Sequence, residues 1–256
     1  MPKVIGYDPV DLGFGGMINY AGIDNNVVLD DVKDGDYPTP PALGDPNWDD
    51  TILSLNFDDN VTDLTGTFST YSLSGAYDAD EKFGTKSLRT NGSGGLINTS
   101  ENDALSWGTS DFTIEFWYKH STWSSGNAYF FHGRIDDGDN FILYVATNGN
   151  LTLYDPQTGG VGVYSIGVAN TLLTAGSYQH IAVVKASNVL KIFIDGSQVG
   201  RNQTQTEDFT LTRMGIGSYG GGASFLSTGL IDSFRITTMA RYTGNFSAPT
   251  AAFPTS

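Results

Sequence analysis

The side chains of this 256-residue chain that are able to do chemistry are carboxylates and a few imidazoles, and their spacing decides which chemistry is open to them. There is no Cys, so thiol nucleophiles, thiolate metal sites and disulfides are all absent. His120, His132 and His180 are too scattered along the chain to read as a metal triad. Hydrolysis of a glycoside needs two carboxylates about 5 to 10 Å apart across the sugar. Glu115 stands alone on its strand, with Thr113, Trp117 and Lys119 as same-face neighbours, which predicts an exposed strand position. His180, at the entry to an apolar strand, reads as a structural hydrogen-bonding group. No Gly-x-Ser-x-Gly elbow occurs, and Gly220-Gly221-Gly222 lacks the Lys and helix start of a phosphate loop. The expectation is a protein that is not an enzyme.

Binding chemistry has more candidates. Asp58 and Asp59 follow an apolar strand, Asp136, Asp137 and Asp139 cluster with Gly138 and Asn140, and Asp232 sits inside a late strand. Calcium takes about six to eight oxygens, which grouped Asp side chains and turn carbonyls can supply, so a structural calcium is the one cofactor these acids suggest, against the competing reading that they only keep a Gly-rich β-protein soluble. None of these groups has the alternating acids and terminal Glu of a helix-flanked calcium loop. Under strict alternation Asp232 shares a face with Leu230, Phe234 and Ile236, and a buried carboxylate needs a cation, an Arg or backbone amides as partner. For sugar stacking the candidates are Trp117, which points away from the Phe112 to Tyr118 core set, and Trp123 and Tyr129, in or beside the next loop. Membership of the second sheet's packing is the competing reading of Trp117.

Charge narrows the partners. Thirteen basic against 28 acidic side chains give a net charge of −15. That disfavours nucleic acid, whose affinity rests on cations meeting phosphates, and anionic membranes for the same reason. No run of apolar residues approaches the length of a membrane span. The opening Met1 to Asp8 has no continuous apolar stretch, which predicts no signal peptide and synthesis in a cytoplasm.

The elements that must position these groups read as strands. Phe112, Ile114, Phe116 and Tyr118 alternate with polar or outward residues, as do Leu53, Leu55 and Phe57. Phe141 to Val145 and Leu151 to Leu153 flank Asn148-Gly149, a hairpin signal. Ile181 to Lys185 and Leu190 to Ile194 flank Ala186-Ser187-Asn188, and Asp195-Gly196 turns the chain again. No helical apolar stripe is sustained. Residues 1–47 differ: Gly-rich, then Tyr37-Pro38-Thr39-Pro40-Pro41, they read as an irregular N-terminal arm and Pro-rich linker. Residues 48–256 are expected to form an all-β, two-sheet antiparallel sandwich.

The order of several pieces adds a resemblance. They are Phe83-Gly84-Thr85-Lys86-Ser87-Leu88, Asp111 to Trp117, Tyr178 to Lys185, Leu190 to Gly196, Ile216-Gly217-Ser218 and Gly229 to Ile236. Together they resemble the laminin G-like, concanavalin A-like jelly roll over roughly residues 50 to 245. The resemblance implies two stacked sheets, a frequent calcium ion, and recognition of sugars or proteins. The Glu-x-Asp-x-x-Glu strand of laminarinase-type relatives is missing. The tail, Ala240-Arg241-Tyr242-Thr243-Gly244-Asn245-Phe246 with Pro249 and Phe253-Pro254, resembles the ending of such domains in structural proteins of tailed phages. That implies a fibre or decoration part of a virion, held to other virion proteins through residues 1–47. It also implies a host-surface glycan as ligand and is compatible with a homo-oligomer such as a trimer.

Overall fold

A computed structural model describes residues 44–255, apart from 59, 69–70, 75, 92–95, 100, 123–126, 136–137, 147–149, 155–162, 169–171, 207, 218 and 220–227. By internal contacts the chain divides into Met1–Ala42 and Leu43–Ser256. The predicted arm therefore lies outside the described residues except for its last four.

In chain order the described strands begin with β1 (Thr51–Leu55), β2 (Tyr71–Ser74), β3 (Ala76–Asp78), β4 (Ser87–Asn91), β5 (Leu96–Thr99) and β6 (Ser106–Gly108). Next come β7 (Phe112–Thr122), β8 (Ala128–Ile135), β9 (Gly138–Val145), β10 (Asn150–Tyr154), β11 (Val163–Val168) and β12 (Tyr178–Ala186). The last are β13 (Val189–Ile194), β14 (Ser197–Thr204), β15 (Phe209–Thr210), β16 (Arg213–Ile216) and β17 (Thr228–Thr237). One sheet has the order β14-β13-β12-β7-β17-β4-β3, with β1 also on β17; the other is β11-β10-β9-β8-β16-β5-β2. Every pairing in them is antiparallel.

The alternation seen in the sequence sets this architecture. Phe112, Ile114, Phe116 and Tyr118 of β7 enter the main core, as do Phe131, Phe141, Leu143, Leu151 and Leu153 of the facing sheet. The β12–β13 hairpin has the expected register, Ile181 opposite Ile194 and Lys185 opposite Leu190. Ser187 (φ 50°) and Asn188 (φ 63°) take the left-handed conformations that a two-residue turn with right-twisted strands requires. The expected β9–β10 pair also forms, but with Val145 opposite Leu151 and Leu143 opposite Leu153 it is one residue off the register of a two-residue Asn148-Gly149 turn, a segment that lies outside the described residues.

Two features depart from simple alternation. β17 shifts register against β7 between Asp232 and Arg235, with Ser233 at φ 48° inside the bulge. Ile231 before it and Phe234 and Ile236 after it all reach the core. Asp232 therefore does not share a face with Phe234 and Ile236, as alternation predicts, but lies on the outer face beside Trp117.

That outer face is itself covered. Residues 238–255, which carry no strand, fold back over β7, β12, β13 and β17. Tyr242 and Phe246 stack with centroids 3.5 Å apart and close a small apolar cluster on Ala182, Val184 and Phe193. Phe246 N–H donates to the Gly196 carbonyl at 2.9 Å. Gly196 is fixed twice: its φ of +76° suits glycine, and a Cβ there would overlap the Phe246 carbonyl.

Candidate functional site

Among the described residues, the outer face of the first sheet holds a dense set of ionisable groups. Glu115, expected to be exposed, is fully buried. Its Oε1 accepts from Arg235 Nε at 2.9 Å and Nη2 at 2.6 Å; its Oε2 faces His180 Nε2 at 3.1 Å and accepts from Tyr242 Oη at 2.9 Å. Arg235 continues to Asp45 at 2.8 Å, and Arg241 clasps Asp45 through Nη1 at 3.0 Å and Nη2 at 2.6 Å. The ring of Phe253 lies 4.1 Å from the Arg235 guanidinium and completes the lid. Two carboxylates thus meet two guanidiniums, with His180, the Tyr242 hydroxyl and the Asn47 amide as their remaining partners.

Burial pushes the Glu115 carboxyl up, but the His180 hydrogen bond and the Arg235 charge outweigh it and hold it at about 2. Burial likewise raises Asp45, and the bonds from Arg241 and Asn47 bring it below the usual carboxylate range. Tyr242 is pushed well up by burial and the Glu115 charge, so it remains a phenol and a donor. A carboxylate, an imidazole and a phenol in contact are a catalytic vocabulary, yet Glu115 and His180 are fully buried and of the three only Tyr242 is partly exposed. The cluster ties the tail to the sheet. The sequence reading of His180 as a structural hydrogen-bonding group agrees with this placement, and Asp45, assigned to the arm, is part of the sandwich.

Trp117 lies in the same covered layer, 4% exposed. Phe83 meets it edge-on at 5.7 Å and Lys82 Nζ sits 4.1 Å above its ring. Tyr129 is on the opposite side of the sandwich, so these two sugar-binding candidates do not converge; Trp123 lies outside the described residues. The separation follows from topology: β7 belongs to one sheet and β8 to the other.

Among the calcium candidates, Asp232 accepts from the backbone N–H of Lys82 at 2.7 Å and of Phe83 at 3.1 Å. Burial pushes its carboxyl up to about 6, against the pull of those amides. Asp58 Oδ1 accepts from the N–H and hydroxyl of Thr85 and the N–H of Lys86. Both carboxylates clamp the 82–86 segment, and a Cβ at Gly84 (φ +74°) would overlap the Asp58 carboxylate. Backbone amides supply what a buried carboxylate requires there. Among the described residues no three acidic or imidazole side chains group as a metal site. Asp59, Asp136, Asp137 and the side chain of Asp139 lie outside the description.

The outer face of the second sheet is built differently. Tyr129 and Tyr144 are directly paired across β8 and β9, their rings 5.4 Å apart. Tyr219 lies against Tyr129 at 5.0 Å and stacks on His132 at 4.8 Å. Tyr154 projects from the same face of β10, opposite Ile142 and diagonal to Tyr144. Burial and the neighbouring Tyr129 and Tyr154 raise the Tyr144 phenol, which agrees with this grouping. Tyr144, Tyr154 and Tyr219 remain half-buried. The result is a row of phenol rings that presents both apolar ring area and hydroxyls. Of its members, only Tyr129 was singled out by sequence. Tyr144 and Tyr154 sit at alternate outward positions, a signal that periodicity contains but that does not say which outward face stays open.

Residues 91–242 match the family described as the concanavalin A-like lectin/glucanases superfamily, in its laminin G-type form. The chain belongs to that superfamily. No curated protein sequence matches it. Among solved structures, this concanavalin A-like sandwich is similar to domain 4 of AbnA, an extracellular arabinanase from Geobacillus stearothermophilus, in complex with arabinotriose. The TM-score is 0.56 at 20% identity, over 74% of this chain and 93% of that one. It is also similar to the binding domain of Paraclostridial Mosquitocidal Protein 1 (TM-score 0.57, 17% identity, 76% of this chain and 50% of that one). The botulinum neurotoxin serotype D binding domain gives 0.59 at 15% identity, over 76% and 49%. The chain spans about half the length of these toxin domains. At such identities the likeness concerns the fold.

Proposed function

We propose that this protein is a non-catalytic, lectin-like module that takes carbohydrate on the outer face of its second sheet. The observation that carries the reading is the paired Tyr129 and Tyr144 with Tyr154 and Tyr219 around them. Sugar faces present C–H bonds that pack on aromatic rings, and phenol hydroxyls exchange hydrogen bonds with sugar hydroxyls. The buried state of Glu115 and the pairing of its carboxylate leave it no access to a glycosidic bond. The arabinotriose bound to the arabinanase domain gives the class of ligand a precedent on this fold. A glycan array with the full chain is expected to give binding that Tyr144→Ala and Tyr154→Ala each weaken at least tenfold (about 1.4 kcal/mol), with thermal midpoints little changed. Binding to no glycan, or binding indifferent to both changes, removes the reading.

The setting of the module is a second reading: an adhesion or decoration part of a tailed-phage virion, anchored through the residues that precede the sandwich. The likeness of the 240–254 tail to phage structural proteins supports it, together with the division of the chain at residue 42. A chain beginning at Leu43 is expected to fold but to be missing from assembled particles. Particles that carry it at the full level would refute the anchoring role.

A further inference from the structure

A half-open cleft of about 470 Å³ opens at the seam between the start of the sandwich, the β17 bulge and the returning tail. Its size falls within the range of about 300 to 1,000 Å³ common for small-ligand sites. Trp48, Phe83, Phe253 and Leu64 give it apolar walls, and Asp58 and Ser233 give it polar ones. Leu64 is a large apolar side chain left 41% exposed there. Ser233 holds its left-handed backbone in this wall, a conformation that non-glycine residues adopt at a cost and that gathers at ligand sites.

The lining selects a ligand class. Among the described residues the lining contains no cationic side chain and one carboxylate, in a chain of net charge −15, so an anionic ligand would meet repulsion and no described partner. An organic cation is also a poor match. Phe253 already stacks on the Arg235 guanidinium, and Lys82 Nζ lies 5.4 Å from the Phe83 ring, so both rings have an internal cation partner. What remains attractive is aromatic area for C–H groups, with acceptors for hydroxyls. Asp58 is suited to that task. Its Oδ1 is pinned by Thr85 and Lys86, and no described donor takes its Oδ2. A fixed carboxylate beside ring walls accepts hydrogen bonds from adjacent hydroxyls of a sugar ring.

We infer that this cleft is a separate pocket for a single neutral sugar unit, hydrogen-bonded by Asp58 and packed between Trp48, Phe83 and Phe253. It shares a ligand class with the tyrosine face but no residue, so either assignment stands or falls alone.

The test titrates the full, isotope-labelled chain with arabinose, glucose, galactose and N-acetylglucosamine at millimolar concentrations, and with choline as the cationic comparison. The indole N–H signal of Trp48, assigned through Trp48→Phe, is followed by NMR. At least one sugar is expected to shift that signal saturably. Ala252→Trp, which plugs the cleft from an exposed position, is expected to weaken the effect at least tenfold, while Tyr144→Ala leaves it unchanged. Thr255→Trp serves as a second plug should the first variant lose its fold. The inference is overturned if no sugar moves the Trp48 signal, if choline alone moves it, or if both folded plugs bind as the parent does.

Discussion

Replacing Glu115 with Ala is expected to destabilise the sandwich by about 3 to 5 kcal/mol, the range observed when one partner of a buried ion pair is removed. The loss arises less from the missing attraction than from what stays behind. Arg235 would keep a buried guanidinium with Nε and Nη2 unpaired, and His180 and Tyr242 would each lose an acceptor. Urea denaturation near neutral pH measures it, and a change under about 1 kcal/mol would show that the cluster is not what ties the tail down.

The same carboxylate predicts a pH dependence. Its folded pKa of about 2 lies below the ordinary 4.5, so its contribution is complete above 4.5 and is lost as the pH falls towards 2. Parent stability should therefore decline through that window, and Glu115→Ala should show a shallower decline. Replacing Glu115 and Arg235 together by apolar residues should recover part of the loss, because a well-packed apolar pair often matches a buried ion pair.

How far this arrangement could be read from the sequence depended on how local its causes are. Turn chemistry is local, and Ser187-Asn188 and Asp195-Gly196 marked their hairpins correctly. Alternation is nearly local, and it placed Phe112 to Tyr118 inwards and Glu115 and Trp117 outwards on β7. It could not say that the outward face was covered, because the cover is a segment more than 120 residues later with no periodicity of its own. The terminal motif was legible only as a resemblance; in the fold, Arg241 holds Asp45, Tyr242 caps Glu115, Phe246 docks on Gly196 and Phe253 covers Arg235. Asp232 was assigned to the wrong face since one extra residue, Ser233, reverses the pleat without any glycine or proline to announce it. The tyrosine face assembles from β8, β9, β10 and Tyr219, and adjacency of that kind comes from sheet order, which pattern alone does not supply.

A change of composition and a change of energetics mark different boundaries at the start of the sandwich, and truncation separates them. Composition shifts near Trp48, yet Asp45 lies before that point, buried, with three of the four hydrogen bonds to its carboxylate coming from Arg235 and Arg241. A chain beginning at Trp48 removes the carboxylate and leaves both guanidiniums short of an acceptor. Arg241 retains Thr237 Oγ1 at 2.7 Å and Thr51 Oγ1 at 3.0 Å, neutral groups that satisfy hydrogens without balancing charge. The expected result is a loss of about 3 kcal/mol relative to a chain beginning at Leu43, with Asp45→Ala in the full chain losing a similar amount. Denaturant midpoints of the three chains, compared at equal slope, check it. Equal stability of the chains beginning at Trp48 and Leu43 would mean that Glu115 alone neutralises both arginines. Arg241 Nε is 3.7 Å from Glu115 Oε1, an ion-pair distance beyond hydrogen bonding, so without Asp45 a single carboxylate would face two guanidiniums, one of them without a charged hydrogen-bond acceptor.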